Sequence, residues 1–99
     1  MALMEISVIP LGTNGPSVSR YVARALRILK EASSVEYELT AMGTIIEGDL
    51  DTLIELAKKM HKATFGKNVK RVVTTIKIDD RRDKKITMEG KIISLCKKI

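Results

Sequence analysis

The chain has one cysteine, one histidine and no tryptophan among its 99 residues. Cys96 alone cannot close an intrachain disulfide or build a cysteine zinc cluster, and His61 has no second imidazole with which to form a histidine-rich metal site. No apolar run approaches the roughly 18 residues that a membrane span needs. Aromatic residues are scarce. Tyr21, Tyr37 and Phe65 are scattered, and no basic strand carries the stacking pair on which single-stranded nucleic acid is held. The first residues hold an acid, Glu5, and no basic stretch, so they do not read as a signal peptide, and a cytoplasmic protein without a membrane anchor is expected.

What is present fits one domain, residues 1–99, with a normal apolar fraction of 44%. A core of this size gives modest stability, which oligomerisation would supplement. Charge is uneven: residues 1–50 sum to −2 and residues 51–99 to +8, for the net +6 of the whole chain. The basic half could serve a regulatory or assembly module that binds nucleic acid or protein. Lysines interspersed with acids are, however, the usual make-up of a solvated, ion-pair-rich surface, and nucleic acid is the weaker expectation.

Hydrophobic periodicity gives the elements. Met4 to Leu11 alternates as a strand, with Pro10 near its end. Gly12 to Ser17 is a loop, and a helix starts near Pro16 or Ser17 and runs to about Ala32, with Val18, Val22, Ala25, Leu26 and Leu29 on its apolar face. Val35 to Met42 and Thr44 to Gly48 are strands close enough to pair as a hairpin, with Gly43 allowing a tight turn or a bulge. Asp49 or Asp51 caps a second helix, whose apolar face is Leu50, Leu53, Ile54, Ala57 and Met60 and which Gly66 ends. Val69 to Asp79 is a fourth strand, and Thr87 caps a last helix. The order β-α-β-β-α-β with an additional C-terminal helix predicts an α+β, ferredoxin-like sandwich. Its open sheet face, expected to carry Thr40, Thr44, Ile9 and Val73 or their alternates, is too apolar to stand bare, so it packs on a ligand, another subunit or both.

Little in the chain suits catalysis. Gly12-Thr13-Asn14-Gly15 lacks the Gly-Lys-Ser/Thr ending of a nucleotide-binding loop, although it could cradle an anion. Asp79 and Asp80 point to opposite sides of a strand and have no evident third metal ligand. Cys96 on the apolar stripe of the last helix belongs to a core or an interface. The segment Tyr37 to Gly48 offers the most: a carboxylate, Glu47, and the hydroxyls of Thr40 and Thr44 among apolar or small residues. Glu47 also reads as a strand end leading into a helix cap, where an acid is favoured by the helix dipole.

Three blocks in this order carry a family resemblance. They are Pro10-Leu11-Gly12-Thr13 with Ser17-Val18-Ser19-Arg20-Tyr21-Val22, then Tyr37 to Gly48 with Ala41-Met42-Gly43-Thr44 at its centre, then Arg71 to Arg81. Together they resemble the thiamine-binding protein family over nearly the whole chain. The resemblance implies a ferredoxin-like subunit that forms homotetramers and binds thiamine (vitamin B1) or its hydroxymethylpyrimidine portion without turnover, so no enzyme and no cofactor are expected. Carried over to matching positions, the ligand-binding residues it implies are Thr13, Ser17, Ser19, Met42, Gly43, Thr44, Glu47 and Thr74 or Thr75. The chemistry is compatible. A flat aminopyrimidine needs an apolar slot with a few fixed polar groups; Met42 and Ile46 can supply the slot, and Glu47 can accept from the exocyclic amine or offset a thiazolium charge.

Overall fold

The computed structural model describes residues 1–12, 19–66 and 68–99. Its elements are β1 (Ala2–Leu11), α1 (Ser19–Glu31), β2 (Glu36–Thr40), β3 (Gly43–Gly48), α2 (Leu50–Thr64), β4 (Arg71–Asp80) and α3 (Met88–Cys96). The expected element order is present. The strands form one antiparallel sheet in the order β2-β3-β1-β4, so the fold is a ferredoxin-like α+β sandwich with an added C-terminal helix. The start expected for the first helix, at Pro16 or Ser17, lies outside the described residues.

β1 is the central organiser. It pairs with β3 from Ala2–Gly48 to Ile6–Thr44 and with β4 along its whole length. Pro10 falls beyond the last β1–β3 pair, where β1 has a neighbour on one side only, so the missing N–H is tolerated. Because strand residues alternate between faces, Ala2, Met4, Ile6 and Val8 all point under the helices, and all are buried. With Ala25 and Leu29 of α1, Ile46 of β3, and Leu53, Leu56, Ala57 and Met60 of α2, they form one core.

Both helices bury a stripe slightly rotated from the expected one. In α2, Leu53, Ala57 and Met60 are buried as expected, but Leu56 and Thr64 complete the stripe while Ile54 is half exposed. The observed set recurs at intervals of three and four residues, which fits a helix lying flat on the sheet. The Thr64 hydroxyl is satisfied by donating to the Met60 carbonyl at 2.8 Å. Asp49 takes the N-cap position, but its side chain accepts no capping hydrogen bond. In α1, Tyr21 is buried beside Ala25 and Leu29.

Register assigns the remaining side chains. Opposite residues of an antiparallel pair share a face, so the open face carries Glu36, Glu38 and Thr40 of β2, Gly43, Ile45 and Glu47 of β3, Leu3, Glu5, Ser7, Ile9 and Leu11 of β1, and Arg71, Val73, Thr75, Lys77 and Asp79 of β4. Thr40, Ile9 and Val73 stand where expected. Thr44 does not: it pairs with Ile6, points into the helix side and is buried. Ile9 and Val73 are 47% and 41% exposed in the single chain. No helix of the described residues is long and apolar enough to cross a membrane.

Candidate functional site

Glu47 lies on the open face near the end of β3. Its cross-strand neighbours there are Glu36 of β2 and Leu3 of β1, and Leu3 in turn faces Asp79 of β4. The next row along the sheet is Glu38, Ile45, Glu5 and Lys77. This face of a strongly basic chain therefore holds Glu5, Glu36, Glu38, Glu47 and Asp79 against Arg71 and Lys77. Among the described residues two of these acids are ion-paired, Glu5 at 3.8 Å from Lys77 and Asp79 with Lys91 of α3. Glu47 is half-buried, and its Oε2 accepts from the backbone N–H of Met88 at 3.4 Å.

That contact places Glu47 at a helix N-terminus, as one of its expected alternatives required, but the helix is α3 and not α2. Thr87 caps α3 by accepting from the Gly90 N–H at 2.9 Å, and the carboxylate adds a favourable charge to the same end. Nothing local in the sequence joins residue 47 to residue 88. The pairing arises because the segment after β4 folds back across this end of the sheet.

The turn before β3 falls earlier than the expected Gly43, which is itself the first residue of β3. Thr40 pairs with Gly43, so Ala41 and Met42 alone form the loop. The Thr40 hydroxyl accepts from the N–H groups of Met42 and Gly43 at 3.2 and 3.1 Å and donates to the Gly43 carbonyl at 2.8 Å. Met42 at the tip is 86% exposed. Gly43 is needed for space: a Cβ there would stand 3.0 Å from the Ile6 carbonyl oxygen of β1. That atom is backbone and cannot swing aside. Gly43→Ala is expected to lower stability by about 1–2 kcal/mol through a shift of the β1–β3 pairing. Urea unfolding measures this, and an unchanged midpoint would show that the strands separate freely.

The other sequence-derived positions divide. Gly43 and Glu47 share the open face but are separated along β3 by about 13 Å. Thr44 and Thr74 are on the helix side, two strands apart, and Thr75 stands on the open face beside Ser7. Thr74 Oγ1 lies 2.7 Å from His61 Nδ1, a tie between β4 and α2 that joins residues thirteen apart in sequence. Phe65 meets the same imidazole edge-on at 5.3 Å. Thr13 and Ser17 lie outside the described residues, and Ser19 is described only as the first residue of α1.

α3 buries none of its residues; Ile92, Leu95 and the terminal Ile99 are 61%, 57% and 96% exposed, and Cys96 is exposed too rather than in a core. Between α3 and the preceding loop runs a groove of about 770 Å³ whose lining includes Arg81, Lys84, Lys85, Lys91, Lys97 and Lys98. Arg81 pairs through two hydrogen bonds with Asp83 of its own chain. Those bonds hold the Asp83 carboxyl below the ordinary carboxylate range and raise Arg81 above its usual value.

A family model described as thiamine-binding protein matches residues 4–95. The Bacillus subtilis protein YqgV is 47% identical over 98% of this chain and 96% of its own length. A relative from Methanothermobacter thermautotrophicus is 46% identical over the whole of both chains. A solved structure from Methanocaldococcus jannaschii superposes with a TM-score of 0.87 at 41% identity, covering 96% of this chain and 95% of that one. A Thermotoga maritima structure, described as that of a proposed thiamine biosynthesis/salvage protein, superposes with a TM-score of 0.78 over 95% and 97% of the two chains. At 21% identity that last likeness is one of fold alone.

Proposed function

The chain belongs to the thiamine-binding protein family, and from that membership we propose that it is a non-catalytic binding protein for thiamine or its hydroxymethylpyrimidine portion. In this reading the ligand rests against the open sheet face beside Glu47, at a boundary between subunits of a cytoplasmic homotetramer. The observation that carries the reading is the excess of carboxylates on that face in a chain of net charge +6. Thiamine joins a cationic thiazolium to an aminopyrimidine. A half-buried carboxylate answers both parts, by charge and by accepting from the amine. Ile45, half-buried in the next row of the same face, supplies apolar contact for flat rings. Titration calorimetry with thiamine and with hydroxymethylpyrimidine tests the reading. Saturable heat with at least one is expected, and flat titrations with both at millimolar ligand would sink it.

Exposed apolar surface supports the assembly. A helix of nine residues with no buried side chain is marginal by itself. β4 is a ten-residue strand whose outer edge is unpaired. Ile92→Asp combined with Leu95→Asp is expected to reduce the mass in solution below four chains, as read by light scattering. A wild-type particle of 11.0 kDa would contradict the tetramer.

The basic groove beside α3 favours a second reading, a regulatory or assembly module that takes a polyanion or an acidic protein there. Binding of RNA through it would weaken steeply with salt, because the Lys and Arg side chains displace counterions. A mobility shift that is absent or insensitive to salt rejects the nucleic-acid form.

A further inference from the structure

On the helix side, at the end of the sheet away from Glu47, two arginines converge on one ring. Arg20 and Arg24 are four residues apart and so share a face of α1. The Tyr21 ring, itself only 6% exposed, lies beneath both: the guanidinium carbons are 5.2 and 5.4 Å from its centroid. The Tyr21 hydroxyl accepts from Arg20 Nη2 at 3.3 Å, which fixes that fork. Gly66 completes the arrangement. A Cβ there would fall 2.6 Å from Arg24 Nη1, so the guanidinium occupies space that only a glycine leaves open. With Asn68 these residues line an open depression of about 460 Å³.

We propose that this depression is a binding site for the phosphate dianion, free or as a monoester. Two like charges at this helical spacing repel one another, and an oxyanion between them removes that repulsion. Among the described residues no carboxylate forms an ion pair with either guanidinium, and none lines the depression. Arginine forks bind phosphate oxygens in pairs, and stacking on Tyr21 holds both forks in place before a ligand arrives. The Asn68 amide offers a further donor. The site uses none of the residues of the thiamine reading and stands or falls separately from it.

The test is a two-dimensional NMR titration of the full chain that follows the Arg Nε–H signals. Inorganic phosphate and phenyl phosphate are the probes, with acetate and chloride at equal ionic strength as controls. Saturable shifts at Arg20 and Arg24 with phosphate, but not with chloride, are expected. Arg24→Met should weaken phosphate binding by roughly tenfold or more. Gly66→Ala keeps both charges but pushes the Arg24 fork aside, and it should weaken binding comparably while circular dichroism stays native. Tighter binding of phenyl phosphate would assign the site to esters, and equal or weaker binding to the free ion. Linear shifts of the same size with phosphate and chloride, or wild-type phosphate affinity in Gly66→Ala or Arg24→Met, would overturn the proposal.

Discussion

Leu53→Ala is expected to lower the stability of the fold by about 3–5 kcal/mol. Leu53 has no exposed surface and is where α2 meets the sheet. Its Cδ2 would stand 3.5 Å from a Cβ at Gly48, and Gly48 in turn faces Ala2 of β1, so the side chain fills the space above three elements. Truncation removes its apolar transfer energy and leaves a cavity that the backbones around it cannot close. A domain of this size has about 5–15 kcal/mol in all, so the loss is a large fraction of its stability. Ile54→Ala, one residue along but 48% exposed, is expected to change stability by less than about 0.5 kcal/mol. Guanidinium unfolding of both variants at one fixed protein concentration reads the difference, because the proposed subunit assembly would make stability concentration-dependent. Equal midpoints for the two would mean that α2 does not sit on the sheet in this register.

The same pair of residues shows what a sequence can and cannot tell. Periodicity placed a helix at this position and identified Leu53, Ala57 and Met60 as inward. It chose Ile54 over Leu56 because two stripes of nearly equal hydrophobicity overlap on those three residues, and only docking on the sheet selects between them. Strand faces followed the same logic. β1 reads cleanly, since its even-numbered residues are apolar and its odd ones mixed. Thr44 and Thr74 do not, because a β-branched hydroxyl suits either face of a sheet. Register settles both: Thr44 lies opposite Ile6 and Thr74 opposite Val8, and both partners are buried under the helices. Gly43 read as a turn residue because turns are the commonest use of glycine, whereas its actual constraint is the nearby Ile6 carbonyl on another strand. The partner of Glu47 was illegible for a plainer reason. A carboxylate and a backbone N–H 41 residues apart leave no periodic trace. Arg20 and Tyr21 stand in the sequence only as neighbours in one block, and nothing there marks the ring as carrying the guanidinium groups of both Arg20 and Arg24.

Glu47→Gln is expected to weaken thiamine binding by about tenfold to a hundredfold, the range for loss of a charged hydrogen-bond partner. The substitution isolates charge. Gln keeps the length of the side chain and a carbonyl oxygen that can still accept from the Met88 N–H, so the start of α3 stays fastened to the sheet. What disappears, in the proposed site, is the negative charge that would face the thiazolium and the stronger acceptor that would face the aminopyrimidine. Hydroxymethylpyrimidine lacks the thiazolium, so its affinity should fall by less than that of thiamine. Glu36, the cross-strand neighbour, is an exposed acid on the same face, and Glu36→Gln should have the smaller effect because solvent screens an exposed charge. Calorimetric titration of the three proteins with both ligands, repeated at low and high salt, measures these differences. Wild-type affinity for thiamine in Glu47→Gln would remove this carboxylate from the ligand site and leave it the one role of fixing α3. Equal losses for thiamine and hydroxymethylpyrimidine would locate its contact on the pyrimidine and take the thiazolium away from it.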